Sequence, residues 1–216
     1  MYVLELKTMI TLAEGDLAAA RAVITAVPKK VDQAALVAFL ALYWDLFWVL
    51  DESHQVLLLG LPPRAFDDDR GAWGIVLAQT YWLRGERAKA RAYADSARIA
   101  YARQLRDAPK DEQRHVLYGL ALAYLGRKRE AIREGRHAIA LLPITKDAFG
   151  GAYMQHQLAR IYLLVGEPDK ALDHLEPLLN RPYYLSPAWL KIDPTFDPLR
   201  KHARFDRLVD GDTKKF

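Results

Sequence analysis

Apolar residues along this chain fall mostly at helical spacing, and glycine interrupts the pattern at intervals. In "AWGIVLAQTYWLRG", Ile75, Ala78, Tyr81 and Trp82 recur three or four positions apart, the mark of a helix with one buried stripe. Beyond the glycine, "ERAKARAYADSARIA" sets Ala90, Ala94 and Ala97 at i, i+4 and i+7, a stripe of small side chains on a second helix. The pairing repeats. "YWLRGERAKA" (Tyr81–Ala90) returns as "YLLVGEPDKA" (Tyr162–Ala171), as "LAYLGRKREA" (Leu122–Ala131) and more faintly as "ITLAEGDLAAA" (Ile10–Ala20). Each time a glycine (Gly15, Gly85, Gly126, Gly166) precedes an alanine (Ala20, Ala90, Ala131, Ala171) by five positions. Glycine tolerates the left-handed backbone that ends one helix and reverses the chain, and the small stripe lets the second helix lie close to the first.

Gly85, Gly126 and Gly166 stand 41 and 40 residues apart, and the 70 residues from Gly15 to Gly85 leave room for one further unit, with Asp51 and Val56 in the places of Gly and Ala. Prolines fall where second helices should stop, at Pro28, Pro62 with Pro63, Pro143 and Pro182. A period of this size predicts a stacked array of helix-turn-helix units near 1–34, 37–70, 71–110, 112–150 and 152–182. The apolar run "ALVAFLALYWDLFWVL" (Ala35–Leu50) is 16 residues long and carries Asp45, which reads as a helix buried on most sides; a membrane span needs about 20 apolar residues.

These residues resemble the tetratricopeptide repeat, whose motif sets a small residue, an aromatic, Gly and Ala in a fixed register. The third unit supplies Ala78, Tyr81, Gly85 and Ala90; the fifth, Ala159, Tyr162, Gly166 and Ala171; the fourth, Gly119, Leu122, Gly126 and Ala131, with Pro143 beyond. The second departs from the motif, with Trp44 at a small position and Val56 for Ala. The resemblance implies an all-α fold, a right-handed α-solenoid of about five repeats over residues 1–180. The 40-to-41 spacing predicts helices about two turns longer than a 34-residue period needs. The tail, "YYLSPAWLKIDPTFDPLRKHARFDRLV", is similar to the segment that closes such arrays in large bacterial signalling proteins, where they follow a kinase, a cyclase or a DNA-binding regulator; Ala203 stands where that pattern has Pro. Residues 181–216 are therefore expected to cap the array, with Trp189, Leu190, Phe196, Leu199 and Phe205 covering its last apolar face. Met1 enters a helical pattern without a capping residue, as expected of a piece of a longer polypeptide or of a first helix that frays.

Composition narrows the chemistry. There is no cysteine, which excludes disulfides and thiolate chemistry, and the N-terminus has no signal-peptide pattern, so a cytoplasmic setting is expected. The net charge of +4 comes from 31 basic and 27 acidic residues, a mixed surface for which nucleic acid is not the expected partner. The densest basic run, Arg127, Lys128, Arg129, Arg133 and Arg136, supports an alternative reading as a nucleic-acid-associated regulator module. None of the six histidines lies four residues from another, and no phosphate-binding glycine loop appears. Acidic clusters at Asp51–Glu52 and Asp67–Asp69 suit helix starts. No active site, cofactor or metal is expected. The family's ligand positions instead map to a groove of Asp45, Trp48, Gln79, Trp82, Leu120, Tyr124, Tyr153, His156 and Arg160. The expected ligand is a peptide or protein segment. Gln79 and Arg160 are expected to be exposed, while Trp48 and Trp82 could equally pack as core. The Lys/Asn clamp that holds chaperone tails is absent: its positions read Ile75, Gln79, Val116, Leu120, His156 and Arg160.

Overall fold

Four glycines turn the chain. In the computed structural model, which describes residues 1–210, Gly15, Gly85, Gly126 and Gly166 have φ of +84°, +76°, +77° and +76°. Each ends a helix in the same double bond pattern: Gly85 N–H donates to the Trp82 carbonyl (3.0 Å) and Glu86 N–H to Tyr81 (2.9 Å), with equivalent pairs at the other three glycines. The hairpins so formed are α1 (Tyr2–Ala13) with α2 (Leu17–Thr25), α5 (Arg70–Leu83) with α6 (Arg87–Asp107), α7 (Glu112–Tyr124) with α8 (Lys128–Leu141), and α9 (Gly150–Leu164) with α10 (Pro168–Leu179). Ala20, Ala90, Ala131 and Ala171 are fully buried at the crossings. At one crossing a Cβ on Gly74 would lie 2.9 Å from the Ala97 backbone nitrogen, which shows how near the helices approach. The described residues form helices and connecting turns, with no strand, so the fold is all-α.

The second unit breaks the expected pattern. α3 (Gln33–Leu42) stops eight residues before the apolar run ends, and α4 (Glu52–Leu59) follows a 3-10 turn at Leu46–Trp48. Asp51 does not take glycine's role: its φ is −68°, and its carboxylate caps α4 by accepting from His54 N–H at 2.9 Å. Val56 is 57% exposed rather than packed at a crossing. The left-handed corner falls instead on Trp44 and Asp45, both at φ +58°. Such a conformation costs about 1–3 kcal/mol per non-glycine residue and persists only where surroundings enforce it. Here one helix over Ala35–Leu50 would have carried Asp45 through apolar packing, whereas the corner turns its carboxylate to a partner. Leu46 to Leu50 remain buried.

The extra length of the repeats is divided. α6 is 21 residues long, an extended helix as expected, but the next step places its surplus in the loop at 142–149. The tail forms α11 (Pro187–Ile192), a 3-10 turn (Pro194–Leu199) and α12 (Ala203–Asp210), and buries Trp189, Leu190, Phe196, Leu199 and Phe205. The part of the expected cap at 211–216 lies outside the described residues. α12 is held to α10 by Arg204, which meets Glu176 at 2.6 Å and Asp173 at 2.8 Å. α11 reaches the first hairpin: the Ser186 hydroxyl donates to the Ala13 carbonyl at 2.6 Å, and Ala188 lies against Gly15. The last segment thus packs on the first unit, and the array closes on itself.

Candidate functional site

α9 lines up Tyr153, His156, Gln157 and Arg160 three or four residues apart on its inward face, and the left-handed corner brings Asp45 to meet them. Arg160 Nη1 lies 2.8 Å from an Asp45 carboxylate oxygen, which also accepts from Gln157 Nε2 at 2.8 Å and Tyr153 Oη at 3.3 Å. Arg160 further donates to the side-chain carbonyls of Gln157 (2.8 Å) and Gln79. Burial opposes a charge on Arg160, yet Asp45 and the surrounding acceptors raise its pKa above the ordinary arginine value. Arg160 is 3% exposed and Gln79 2%, so the expectation that both face solvent is wrong. The reason is physical: a carboxylate in the apolar 35–50 run needs an internal cation, and Arg160 supplies it.

A second cluster adjoins this one. His156 Nδ1 is 2.9 Å from the Tyr184 hydroxyl, and its ring stacks on Phe196. Burial first, and then the neighbouring Arg160 charge, lower its pKa to about 3, which keeps the ring neutral. Burial likewise pushes Tyr153, Tyr183 and Tyr184 well above the usual phenol range, and Tyr124 to about 12. Asp193 is also raised by burial, against the Thr195 N–H (2.8 Å) and Trp189 Nε1 (3.2 Å) that favour its charged form.

Of the nine expected groove residues, Asp45, Trp48, Gln79, Leu120, Tyr124, His156 and Arg160 are buried, and Trp82 and Tyr153 are half-buried. The chain's own 44–50 segment and tail occupy much of the inner face, so the groove is not open along its length. Trp48, for example, packs edge-on against Trp189 at 6.0 Å. An open part remains. A cavity of about 310 Å³ is lined by Phe47, Trp48, Gln79, Trp82, Tyr124, Arg160 and Leu163 from the array and by Pro194, Thr195 and Asp197 from the tail. Trp82 meets Tyr124 edge-on at 5.2 Å, and the Arg87 guanidinium lies 3.6 Å from the Trp82 ring centroid. Five of the nine residues (Trp48, Gln79, Trp82, Tyr124, Arg160) therefore share one cavity, while Asp45, Leu120 and His156 are buried away from its lining and half-buried Tyr153 meets Asp45. A shallower depression of about 710 Å³ shares Trp48, Leu83, Pro194 and Asp197 with it and continues to Arg21, Gln55 and Arg200. Sequence reasoning missed Gln157, Arg87 and the Pro194–Asp197 wall. Gln157 was legible as the inward neighbour of Arg160 at i−3; the tail residues were not, because nothing local says where a tail packs.

The basic run is largely paired: Arg127 with Glu130 (2.7 Å), Arg133 with Glu134 (2.8 Å), Lys128 with Glu167, and Arg136 donating to the Tyr162 hydroxyl (3.0 Å). Among the described residues no group of three or more His, Asp or Glu side chains is arranged to hold a metal ion, and no helix is long and apolar enough to cross a membrane.

No family model matches the sequence, and no curated protein matches it. Among solved structures, a chain titled "MamA AMB-1 P212121" is similar at 20% identity over 82% of this chain and 88% of that one, with a TM-score of 0.33. With so loose a superposition, the fold rests on the glycine turns and alanine crossings described above.

Proposed function

We propose that this chain is a non-catalytic interaction scaffold that binds a short segment of a partner protein in the trough beginning under Trp82 and Tyr124. The observation that carries the reading is the 310 Å³ cavity, where the aromatic Phe47, Trp48, Trp82 and Tyr124 stand beside the polar Gln79 and Arg160, between the C-terminal ends of α5, α7 and α9 and the tail. Its size suits one large side chain of an extended segment, and the continuing depression along Leu83 and Pro194 gives that segment a path. Aromatic and arginine side chains are the residue types that dominate binding energy at interfaces. The resemblance of the tail to the closing segment of arrays in bacterial signalling proteins supports a sensory or regulatory role within such a protein.

Phage-displayed peptides selected on the whole chain test this. Binders should be lost on Trp82→Ala, and weakened by Asp197→Arg in the tail, while the circular-dichroism spectrum stays helical. Arg160→Ala cannot serve, because the buried ion pair would break. Selected peptides that bind both variants as well as the parent chain would overturn the groove assignment.

A further inference from the structure

A second cavity, of about 600 Å³, opens on the other side of Trp44, between α1 and the start of α9. α1 buries Glu5 and Thr8 on the same inward face as Met9 and Leu12. Glu5 is 4% exposed and Thr8 is buried, while Val3, Leu6 and Ile10 face water at 69%, 60% and 59% exposure. Thr8 is satisfied, since its hydroxyl donates to the Leu4 carbonyl at 2.9 Å. Glu5 is not: its Oε1 is buried with no hydrogen-bond partner, and no ion pair reaches it among the described residues. A buried carboxylate without a counter-charge is costly, and burial accordingly raises the Glu5 pKa, with the Met1 ammonium acting in the opposite sense. Around it stand aromatic rings. Tyr2, Tyr43, Trp44, Phe149 and Tyr184 line the same cavity as Glu5. Trp44 holds this wall together edge-on, 4.8 Å from Phe149 and 5.4 Å from Tyr184, by virtue of its left-handed backbone. Tyr2, Tyr43 and Phe149 at the rim are 68%, 44% and 53% exposed.

We infer that this cavity is a binding site for an organic cation, whose ammonium or guanidinium head meets the unpaired Glu5 carboxylate and whose apolar body rests on the aromatic walls. Ring faces attract cations, most strongly where water is excluded, and a buried carboxylate supplies the missing charge partner. The carboxylate opposes an anionic guest and gives a neutral one no charge partner. The cation's source is either a free amine or a lysine or arginine side chain on a partner, and the chemistry of recognition is common to both.

Calorimetric titration of the whole chain separates these. Choline and tetramethylammonium probe the free amine; acetyl-lysine amide and acetyl-arginine amide probe the side chain. Dimethylbutanol, the neutral isostere of choline, and acetyl-norleucine amide are the controls. At least one cation should saturate and bind at least ~10-fold tighter than its neutral control, as a charge-assisted contact predicts. Glu5→Gln should abolish that preference and leave the neutral compound unaffected. Should Glu5→Gln not fold, Phe149→Ala at the exposed rim should weaken the cation several-fold with the helical spectrum unchanged. Saturation by the free amines alone, or by the amino-acid amides alone, would support the site and identify the source. Equal binding of cation and isostere, no saturation by any cation, or a dimer by sedimentation that buries α1 against a second copy would overturn it.

Discussion

Replacing Arg160 by Met removes the cation at the centre of the molecule while keeping similar volume. The Asp45 carboxylate would lose the 2.8 Å ion pair but keep Gln157 Nε2 at 2.8 Å and Tyr153 Oη at 3.3 Å, while the side-chain carbonyls of Gln79 and Gln157 each lose a donor. Breaking a buried pair from one side costs about 3–5 kcal/mol. The donors left on Asp45 pull the figure to the lower part of that range, and the two unsatisfied amides, at about 1 kcal/mol each, raise it again. A loss of about 4 kcal/mol is expected, a large share of the ~5–15 kcal/mol that holds a typical domain. Asp45→Asn, which leaves the guanidinium without a counter-charge, should cost about as much by the same rule. The double variant should be destabilised by clearly less than the two single losses combined, because the second substitution removes a charge the first had orphaned. Urea unfolding followed by circular dichroism, at one pH and salt concentration, measures all four chains. Single losses below about 1 kcal/mol, simply additive in the double variant, are the behaviour of a solvated surface pair and would refute the central role given to this contact.

Ala131→Leu and Ala171→Leu should each destabilise by about 1–3 kcal/mol through overpacking, and unchanged melting temperatures in both would mean the crossings are misplaced. Gly126→Ala meets no atom within 4 Å, so its cost should be backbone strain alone, about 1–2 kcal/mol; Gly74→Ala, with its Cβ 2.9 Å from backbone, should cost more in the same thermal melts. His156 is held near pKa 3, whereas the unfolded chain titrates it near 6.5, so below about pH 6.5 the unfolded state binds the extra proton and stability falls with acid. Its share of the loss from pH 6.5 to 5 should be about 2 kcal/mol, and urea midpoints of His156→Gln should fall less steeply over that range; an identical slope would contradict the buried neutral ring.

The regular hairpins were legible because each turn demands a left-handed residue, and glycine announces one. The second unit was opaque for the same reason: its left-handed positions went to Trp44 and Asp45, which carry no such signal, and of the two roles read for Asp51, turn residue and helix start, only the helix start is found. The family's ligand positions led to Gln79, His156 and Arg160 as groove residues, with Gln79 and Arg160 in solvent, whereas all three are buried. Periodicity names the face of a helix but not what comes to occupy it, so solvent was expected where Asp45 and the tail are found. The aromatic cavity beside α1 was missed because its residues lie far apart in the chain and Glu5 looked like an ordinary helix-surface acid.

The bond from Ser186 to Ala13 bears on how such a chain can evolve. An open stack lengthens readily, since a duplicated hairpin only displaces the end cap. Here an inserted hairpin would carry the last segment away from the first, uncovering Trp189 and Leu190 and withdrawing Pro194 to Asp197 from the 310 Å³ cavity. The seam thus sets a cost on adding a unit that an open stack does not carry.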